Sequence, residues 1–216
     1  MTAIGLSRAH FPISTLGPGL RLGVWMQGCS IRCKGCVSLD TWSFNRGQTT
    51  VDAVLDAIRP ALRFADGVTI SGGEPFDQPE ALLELLKRIR VANDGDVLVF
   101  SGHSFESLRP SLAAFDGLID ALVTDPFRRD KPQTLALRGS DNQRLIALTP
   151  LGEERFGSYD RPLRPEDRAF DIMFDDDSGD VFLVGIPRPG DMNLLTKFLR
   201  SQGHEAASTE DGRFDP

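Results

Sequence analysis

Cysteine is nearly absent from this chain: there are three among 216 residues, an odd number and too few for a disulfide framework. Histidine is equally scarce, and none of His10, His103 and His204 stands at the short spacing of a zinc-finger pair. Long apolar runs are missing as well. The longest, around Leu20 to Met26 and Val97 to Phe100, fall far below the roughly 20 residues a membrane-spanning helix needs, so no membrane segment is expected. The N-terminus lacks the basic stretch and apolar core of a secretory signal, which points to the cytoplasm, where thiols stay reduced. There is no excess of positive charge either. The formal net charge is −7, and basic residues are interspersed with acids, which argues against nucleic-acid binding through phosphate neutralisation.

What is present is an ordinary globular composition, 40% hydrophobic, in a length that suits one substantial domain with a smaller appended piece. A turn at Leu16-Gly17-Pro18-Gly19 leads into the apolar run Leu20 to Met26, read as a buried strand that ends at Gln27-Gly28. Thr50 can cap a helix whose Val51, Val54, Leu55, Ile58 and Leu62 recur at helical spacing, with a kink or split expected at Pro60. Val68 to Ser71 reads as a short buried strand running into Gly72-Gly73-Glu74-Pro75. Pro79 then suits the first turn of a helix with Leu82, Leu83, Leu86 and Ile89 facing inward.

The alternation continues through strand Asp96 to Phe100, a Ser101-Gly102-His103 turn, a broken helix over Ser104 to Phe115, and strands Ile119 to Val123 and Arg144 to Leu148. Strands separated by helices predict an α/β fold with a parallel sheet, its loops at the strand C-terminal ends forming the site. About five strands are too few for a closed eight-stranded barrel, so a partial, open barrel over residues 1–150 is expected.

After Pro150 the composition changes. Arg161 to Arg168 is rich in proline and charge, Phe170 to Ile186 reads as a β-hairpin, and Asp191 to Arg200 as a helix, so residues 151–216 form a small C-terminal extension. Asp175, Asp176, Asp177 and Asp180 in the hairpin turn could suggest calcium. A tight turn demands the same residues and no bidentate Glu follows, so the turn reading is preferred. The tail from His204 onward is polar and expected to fray.

All three cysteines fall within Cys29-Ser30-Ile31-Arg32-Cys33-Lys34-Gly35-Cys36, a CxxxCxxC array with no fourth cysteine anywhere in the chain. Structural zinc sites close a tetrahedron with four protein ligands, and electron-transfer clusters commonly use four cysteines. A distant histidine or acid could complete a zinc site. Buried packing cysteines are a weaker alternative, because Ser, Arg, Lys and Gly between them make no apolar stripe. A 4Fe-4S cubane on Cys29, Cys33 and Cys36 would keep one iron open to bind a substrate.

Here the sequence resembles the radical S-adenosylmethionine superfamily, whose defining CxxxCxxC motif follows the first barrel strand. The resemblance implies that the open iron chelates the amino and carboxylate groups of S-adenosylmethionine. An electron from the cluster then breaks a carbon–sulfur bond, releasing methionine and a 5′-deoxyadenosyl radical that abstracts hydrogen. Gly72, Gly73, Glu74 and Pro75 resemble the segment that binds the methionine amino group, with Glu74 an acceptor for its ammonium. Ser101 and His103 match the place where the ribose or the methionine carboxylate is contacted, although an ordinary surface role for His103 stays open. Gly35 is counted with them as cofactor-binding, and no catalytic residue is implied beyond the cluster ligands.

Several segments together are similar to the anaerobic ribonucleotide reductase activating proteins, a family of glycyl-radical activases. They are Gly17-Pro18-Gly19-Leu20-Arg21, Gln27-Gly28-Cys29, Lys34-Gly35-Cys36, Thr41-Trp42, Asp125-Pro126-Phe127 and Arg138-Gly139-Ser140-Asp141-Asn142-Gln143-Arg144. The likeness spans roughly residues 10–150. It departs at Val37-Ser38, where the family usually shows an asparagine-proline pair, and after Pro150, where compact members end. It implies an oxidoreductase whose partner is a glycyl-radical enzyme, with an electron donor such as flavodoxin or ferredoxin. Two alternatives remain: a radical enzyme of the same mechanism that modifies a peptide or small molecule, and a non-catalytic cluster-binding redox regulator.

Overall fold

The computed structural model describes residues 1–174, 179 and 181–208. Its centre is a seven-stranded sheet made of β1 (Ala3–Ile13), β2 (Arg21–Met26), β3 (Gln48–Thr50), β4 (Gly67–Gly72), β5 (Asp96–Phe100), β6 (Ala121–Thr124) and β7 (Arg144–Ala147). They lie in the order β3-β1-β2-β4-β5-β6-β7. Strands β2, β4, β5 and β6 are mutually parallel. Helices α1 (Val51–Leu62), α2 (Pro79–Ala92) and α3 (Phe105–Leu112) supply the crossovers that parallel neighbours require.

Helix α1 forms as its spacing dictates: Val51, Val54, Leu55, Ile58 and Leu62 are all buried, and Thr50 Oγ1 accepts from the Ala53 amide at 3.2 Å. The break expected at Pro60 does not occur. Pro60 is exposed in the last turn, where water can take the place of the bond it omits. In α2 the inward stripe is Leu82, Leu85, Leu86 and Ile89. Leu85 takes the place expected of Leu83, which is half-buried, because 82, 85, 86 and 89 follow one helical face. These helices cover Leu22, Val24, Met26, Val68, Ile70, Val97, Val99 and Leu122 of the sheet. Each fully buried aliphatic side chain of this size contributes about 2 kcal/mol.

The sheet differs from the expected five parallel strands in its edges. β1 and β3 extend it on one side and β7 closes it on the other, all antiparallel to their neighbours. β1 hid in the sequence because register shifts between Leu6 and Arg8 and between His10 and Ile13 break the two-residue alternation. β7 is antiparallel because residues 125–143 contain no helix to carry a crossover, so the chain turns back beside β6.

The other face of the sheet is covered by later elements. Helix α4 (Pro150–Phe156), capped by Thr149, buries Phe156 with Leu98, Ala121, Val123 and Leu137. The hairpin β8 (Asp171–Phe174) and β9 (Val181–Val184) packs Met173 and Val184 on Ile13, Leu16 and Trp25. Asp171 pins it by accepting from the Ser14 amide at 2.7 Å, the Ser14 hydroxyl at 2.8 Å and the Thr15 hydroxyl at 2.9 Å. Helix α5 (Asp191–Ser201) follows. The aspartates considered for calcium, and residues 209–216 of the tail, lie outside the described residues. No described helix is long and apolar enough to cross a membrane.

The Gly17–Arg21 segment of the sequence resemblance lies at the far ends of the strands from the cysteines. Arg21 is fully buried there, paired with Asp96 at 2.7 Å and donating to Thr69 Oγ1 at 2.7 Å and to the Val68 carbonyl at 2.8 Å. Arg155 of α4 reaches the same carboxylate at 2.9 Å. Two cations on one buried acid, with carbonyl partners for the guanidinium, compensate the desolvation of all three charges.

Candidate functional site

The four parallel strands end along one edge of the sheet, and each is followed by a segment singled out in the sequence. β2 leads to Gln27-Gly28-Cys29, β4 ends at Gly72 and leads to Gly73-Glu74-Pro75, β5 leads to Ser101-Gly102-His103, and β6 leads to Asp125-Pro126-Phe127. This edge is where open α/β sheets bind ligands.

The first two segments are joined through their backbones. The Gly73 amide donates to the Met26 carbonyl and the Glu74 amide to the Gly28 carbonyl, both at 2.8 Å. A Cβ on Gly73 would fall 2.0 Å from the Gly28 oxygen, and one on Gly72, where φ is +103°, 2.4 Å from the Met26 oxygen. Only glycine permits these approaches. On its other side the cysteine loop is held by Thr41 and Trp42, whose carbonyls accept from the Gly28 amide at 2.7 Å and the Cys29 amide at 3.2 Å. Gln27 adds bonds to the Asp40 and Ser43 carbonyls at 3.1 and 2.9 Å.

Glu74 is 1% exposed. Its Oε1 accepts from the Phe76 amide at 3.0 Å and the Ser101 hydroxyl at 2.8 Å, and its Oε2 from the Gly102 amide at 2.7 Å. Burial pushes the carboxyl up, opposed by these donors. The carboxylate therefore clamps the β4 segment to the β5 segment, and among the described residues three donors fill its about four acceptor positions. Ser101 is buried, and its hydroxyl also accepts from the His103 amide at 3.1 Å. The His103 ring is partly exposed, with Nε2 3.8 Å from Asp77 Oδ1.

Sequence reasoning missed Asp77 and Gln78. Asp77 accepts from both the amide and the hydroxyl of Ser30, at 2.6 and 2.8 Å, which ties the cysteine loop to the start of α2. Gln78 donates to the Gln27 carbonyl at 2.9 Å and accepts from the Gly5 amide at 2.6 Å. The available signal was weak, since polar residues ahead of a helix read as ordinary turn and cap chemistry.

The Gly139–Arg144 segment acts as a scaffold. Gln143 accepts from the Gly139 amide at 2.8 Å and donates to the Asp125 carbonyl at 3.1 Å, while Asn142 donates to the Pro126 carbonyl at 2.8 Å. Ser140 accepts from the Arg128 amide at 3.0 Å, and Arg144 pairs with Asp125 at 2.7 Å. Together they fix the loop after β6 against the cysteines. Gly35, at φ +75°, lies so close to it that a Cβ would meet Arg129 Cδ at 3.0 Å.

Cys29 is buried and Cys33 and Cys36 are half-buried, all three as free thiols. Burial pushes the Cys33 thiol up to about 11, with charge on Cys36 and Cys29 adding to the shift and the Phe127 backbone amide opposing it. Burial also raises Cys29 and Cys36. Three thiols whose ionisation burial opposes need a cation to become thiolates, which the iron of a cluster would supply. Each thiolate of a cubane binds its own iron, so the three need not converge on one point. Among the described residues no group of three His, Cys, Asp or Glu is arranged around a single ion. The Trp42 side chain hydrogen-bonds the Cys36 thiol and opposes its upward shift. The donor set fits a 4Fe-4S cluster.

A buried-thiol loop laced to a glycine loop at the ends of parallel strands is the outline of an iron–sulfur enzyme, and the comparisons agree. The 4Fe-4S single cluster domain family matches residues 15–146, and the chain belongs to that family. Among its relatives is the anaerobic ribonucleoside-triphosphate reductase-activating protein of Escherichia coli (strain K12). It is 33% identical over 143 residues, covering 62% of this chain and 93% of that protein. The protein of the same name from Vibrio cholerae serotype O1 is 31% identical over 149 residues, covering 65% and 96%. The pyruvate formate-lyase-activating enzyme of Streptococcus mutans serotype c is 29% identical over 140 residues, covering 61% of this chain and 53% of its own length. The crystal structure of QueE from Escherichia coli superposes with a TM-score of 0.41 at 17% identity, over 48% of this chain and 55% of that one. The chain is thus an enzyme of the radical S-adenosylmethionine type, with a 4Fe-4S cluster and S-adenosylmethionine as cofactors.

Proposed function

We propose that this protein is a glycyl-radical activase whose partner is an anaerobic ribonucleoside-triphosphate reductase. The observation that carries the reading is the lacing of Cys29 to the Gly72–Pro75 loop through Gly28, which sets three cluster thiols beside a segment suited to an amino acid headgroup. Cys29, Cys33 and Cys36 hold the cluster. When bound, the cluster supplies the electron that breaks a carbon–sulfur bond of S-adenosylmethionine to give methionine and the 5′-deoxyadenosyl radical.

The chain's own residues bind and orient. Gly72, Gly73 and Pro75 offer backbone at close range, and the Glu74 carboxylate takes the methionine ammonium. Ser101 and His103 face the ribose or carboxylate from the β5 side, and Gly35 lets the loop after β6 close on the cysteines. Residues 1–150 carry this chemistry in a partial barrel, and residues 151–216 are a small C-terminal extension whose described helix α4 and hairpin cover the other face of the sheet. The electron comes from a small carrier of the flavodoxin or ferredoxin kind. The relatives named as activating proteins for this reductase are covered over almost their whole length, which favours this partner over a peptide or small molecule.

The test is to mix the reconstituted, reduced protein with S-adenosylmethionine and the large subunit of such a reductase without air. A glycyl radical signal by electron paramagnetic resonance, formed with one 5′-deoxyadenosine per radical, is expected. Adenosyl cleavage without any radical on the reductase would overturn the partner assignment.

A further inference from the structure

Arg8 stands where three parts of the molecule meet. It lies on β1 opposite Trp25 of β2. Its guanidinium is 5.9 Å from the centroid of the Trp25 ring and 4.7 Å from that of Phe182, and Nη2 pairs with Asp40 Oδ2 at 2.7 Å. Phe182 belongs to the hairpin strand β9, beyond residue 146, where the family match ends. Asp40 belongs to the turn over residues 39–42 that braces the cysteine loop. Its carbonyl accepts from the Gln27 side chain at 3.1 Å, and the next two carbonyls accept from the Gly28 and Cys29 amides. A chain of contacts therefore runs from the C-terminal hairpin to the first cysteine.

An arginine–carboxylate pair at the surface is weak, in part because two long side chains must be held in one geometry. Here the Arg8 side chain is 19% exposed against 50% for Asp40, and two aromatic rings already fix the guanidinium. A planar cation held over an aromatic face has less freedom to lose on pairing than a solvated one. The pair is thus only as firm as the hairpin that supplies Phe182.

We propose that Arg8 is a positioning residue through which the C-terminal hairpin steadies the cysteine loop, which gives the extension a part in retaining the cluster. The last clause rests on the functional reading above, since it requires the cluster on Cys29, Cys33 and Cys36. The steadying of the loop is read independently in the metal-free protein.

The test compares the full chain with Arg8→Gln, Phe182→Leu, the two combined, and Phe182→Tyr, which keeps the ring. Amide hydrogen exchange is followed residue by residue in the metal-free proteins, and iron release to a chelator after anaerobic reconstitution. Exchange at Gly28 and Cys29 is expected to rise by about fivefold in Arg8→Gln and in Phe182→Leu, the scale of one ordered ion pair. The combined variant should go no further than Arg8→Gln, because both changes act through one contact, and Phe182→Tyr should match wild type. Iron should leave faster from the same three variants. Arg8→Gln keeps the bonds from Ser14 and Thr15 to Asp171, so its hairpin amides should exchange as in wild type, and this variant decides if Phe182→Leu opens the hairpin as a whole. Unchanged exchange at Gly28 and Cys29 in Arg8→Gln, or additive effects in the combined variant, would overturn the inference. Altered exchange in a wild-type background that takes up no cluster would instead overturn the functional reading and leave the contact chain standing.

Discussion

Gly73 and Gly28 approach so closely that no side chain can stand between them, since a Cβ on Gly73 would lie 2.0 Å from the Gly28 oxygen. This contact holds the cysteine loop and the Gly72–Pro75 loop in one register. Gly73→Ala is expected to force the loops apart, with an overpacking cost of about 3 kcal/mol. Urea unfolding and iron content after reconstitution measure it. Native stability together with full iron loading would show that the close approach is not needed.

Glu74 clamps two loops with three hydrogen bonds. Removing it in Glu74→Ala leaves the Ser101 hydroxyl and the Gly102 amide without their acceptor, at a cost of about 3 kcal/mol. The cluster should remain, because the cysteines are held separately by Thr41, Trp42 and Asp77. Affinity for S-adenosylmethionine should fall by about tenfold or more, the equivalent of one lost polar contact. Equilibrium binding to the reconstituted variant checks this, and unchanged affinity would remove Glu74 from the cofactor site.

Arg21 belongs to the resemblance yet sits at the opposite strand ends, in a buried charge cluster with Asp96 and Arg155. Arg21→Met should destabilise the fold by about 3 kcal/mol, the cost of leaving a buried acid short of a partner. Cleavage activity per bound cluster should hold. A variant with normal unfolding and reduced turnover per cluster would contradict a purely structural role.

Burial would raise the Asp171 carboxyl, but donors from Ser14 and Thr15 outweigh it and hold the group below its ordinary value of 3.8. A depressed folded value means the attachment of the hairpin is fully present above about pH 4 and is lost as pH falls through the lower folded value. Trp25 fluorescence, beneath the hairpin, should report this acid transition. Asp171→Asn should already be loosened near neutrality and show no transition there. Identical acid profiles for the two proteins would contradict the pinning.

Much of this was legible in the sequence, for reasons that differ by element. The stripe Val51, Val54, Leu55, Ile58 and Leu62 was readable because one helical face meets one sheet, and the buried run of β2 because both of its sides are covered. The edge strands were not: β1 carries two register shifts, and the direction of β7 depends on a helix that the preceding loop lacks. In the candidate site, the three cysteines stood out by their clustering, and Gly72-Gly73-Glu74-Pro75 only by its resemblance to a superfamily motif and its place after a strand. The roles of Asp77, Gln78 and Gln143 did not, because their partners are backbone atoms brought near only by folding.

The most direct measurement reconstitutes the protein with iron and sulfide without air, counts iron per chain, adds reductant and S-adenosylmethionine, and follows 5′-deoxyadenosine by chromatography. About four irons per chain are expected from a single cubane, with steady release of 5′-deoxyadenosine and loss of both iron and product in Cys33→Ala. A zinc ion at the three thiols, or a full cluster that never cleaves S-adenosylmethionine, would contradict the account.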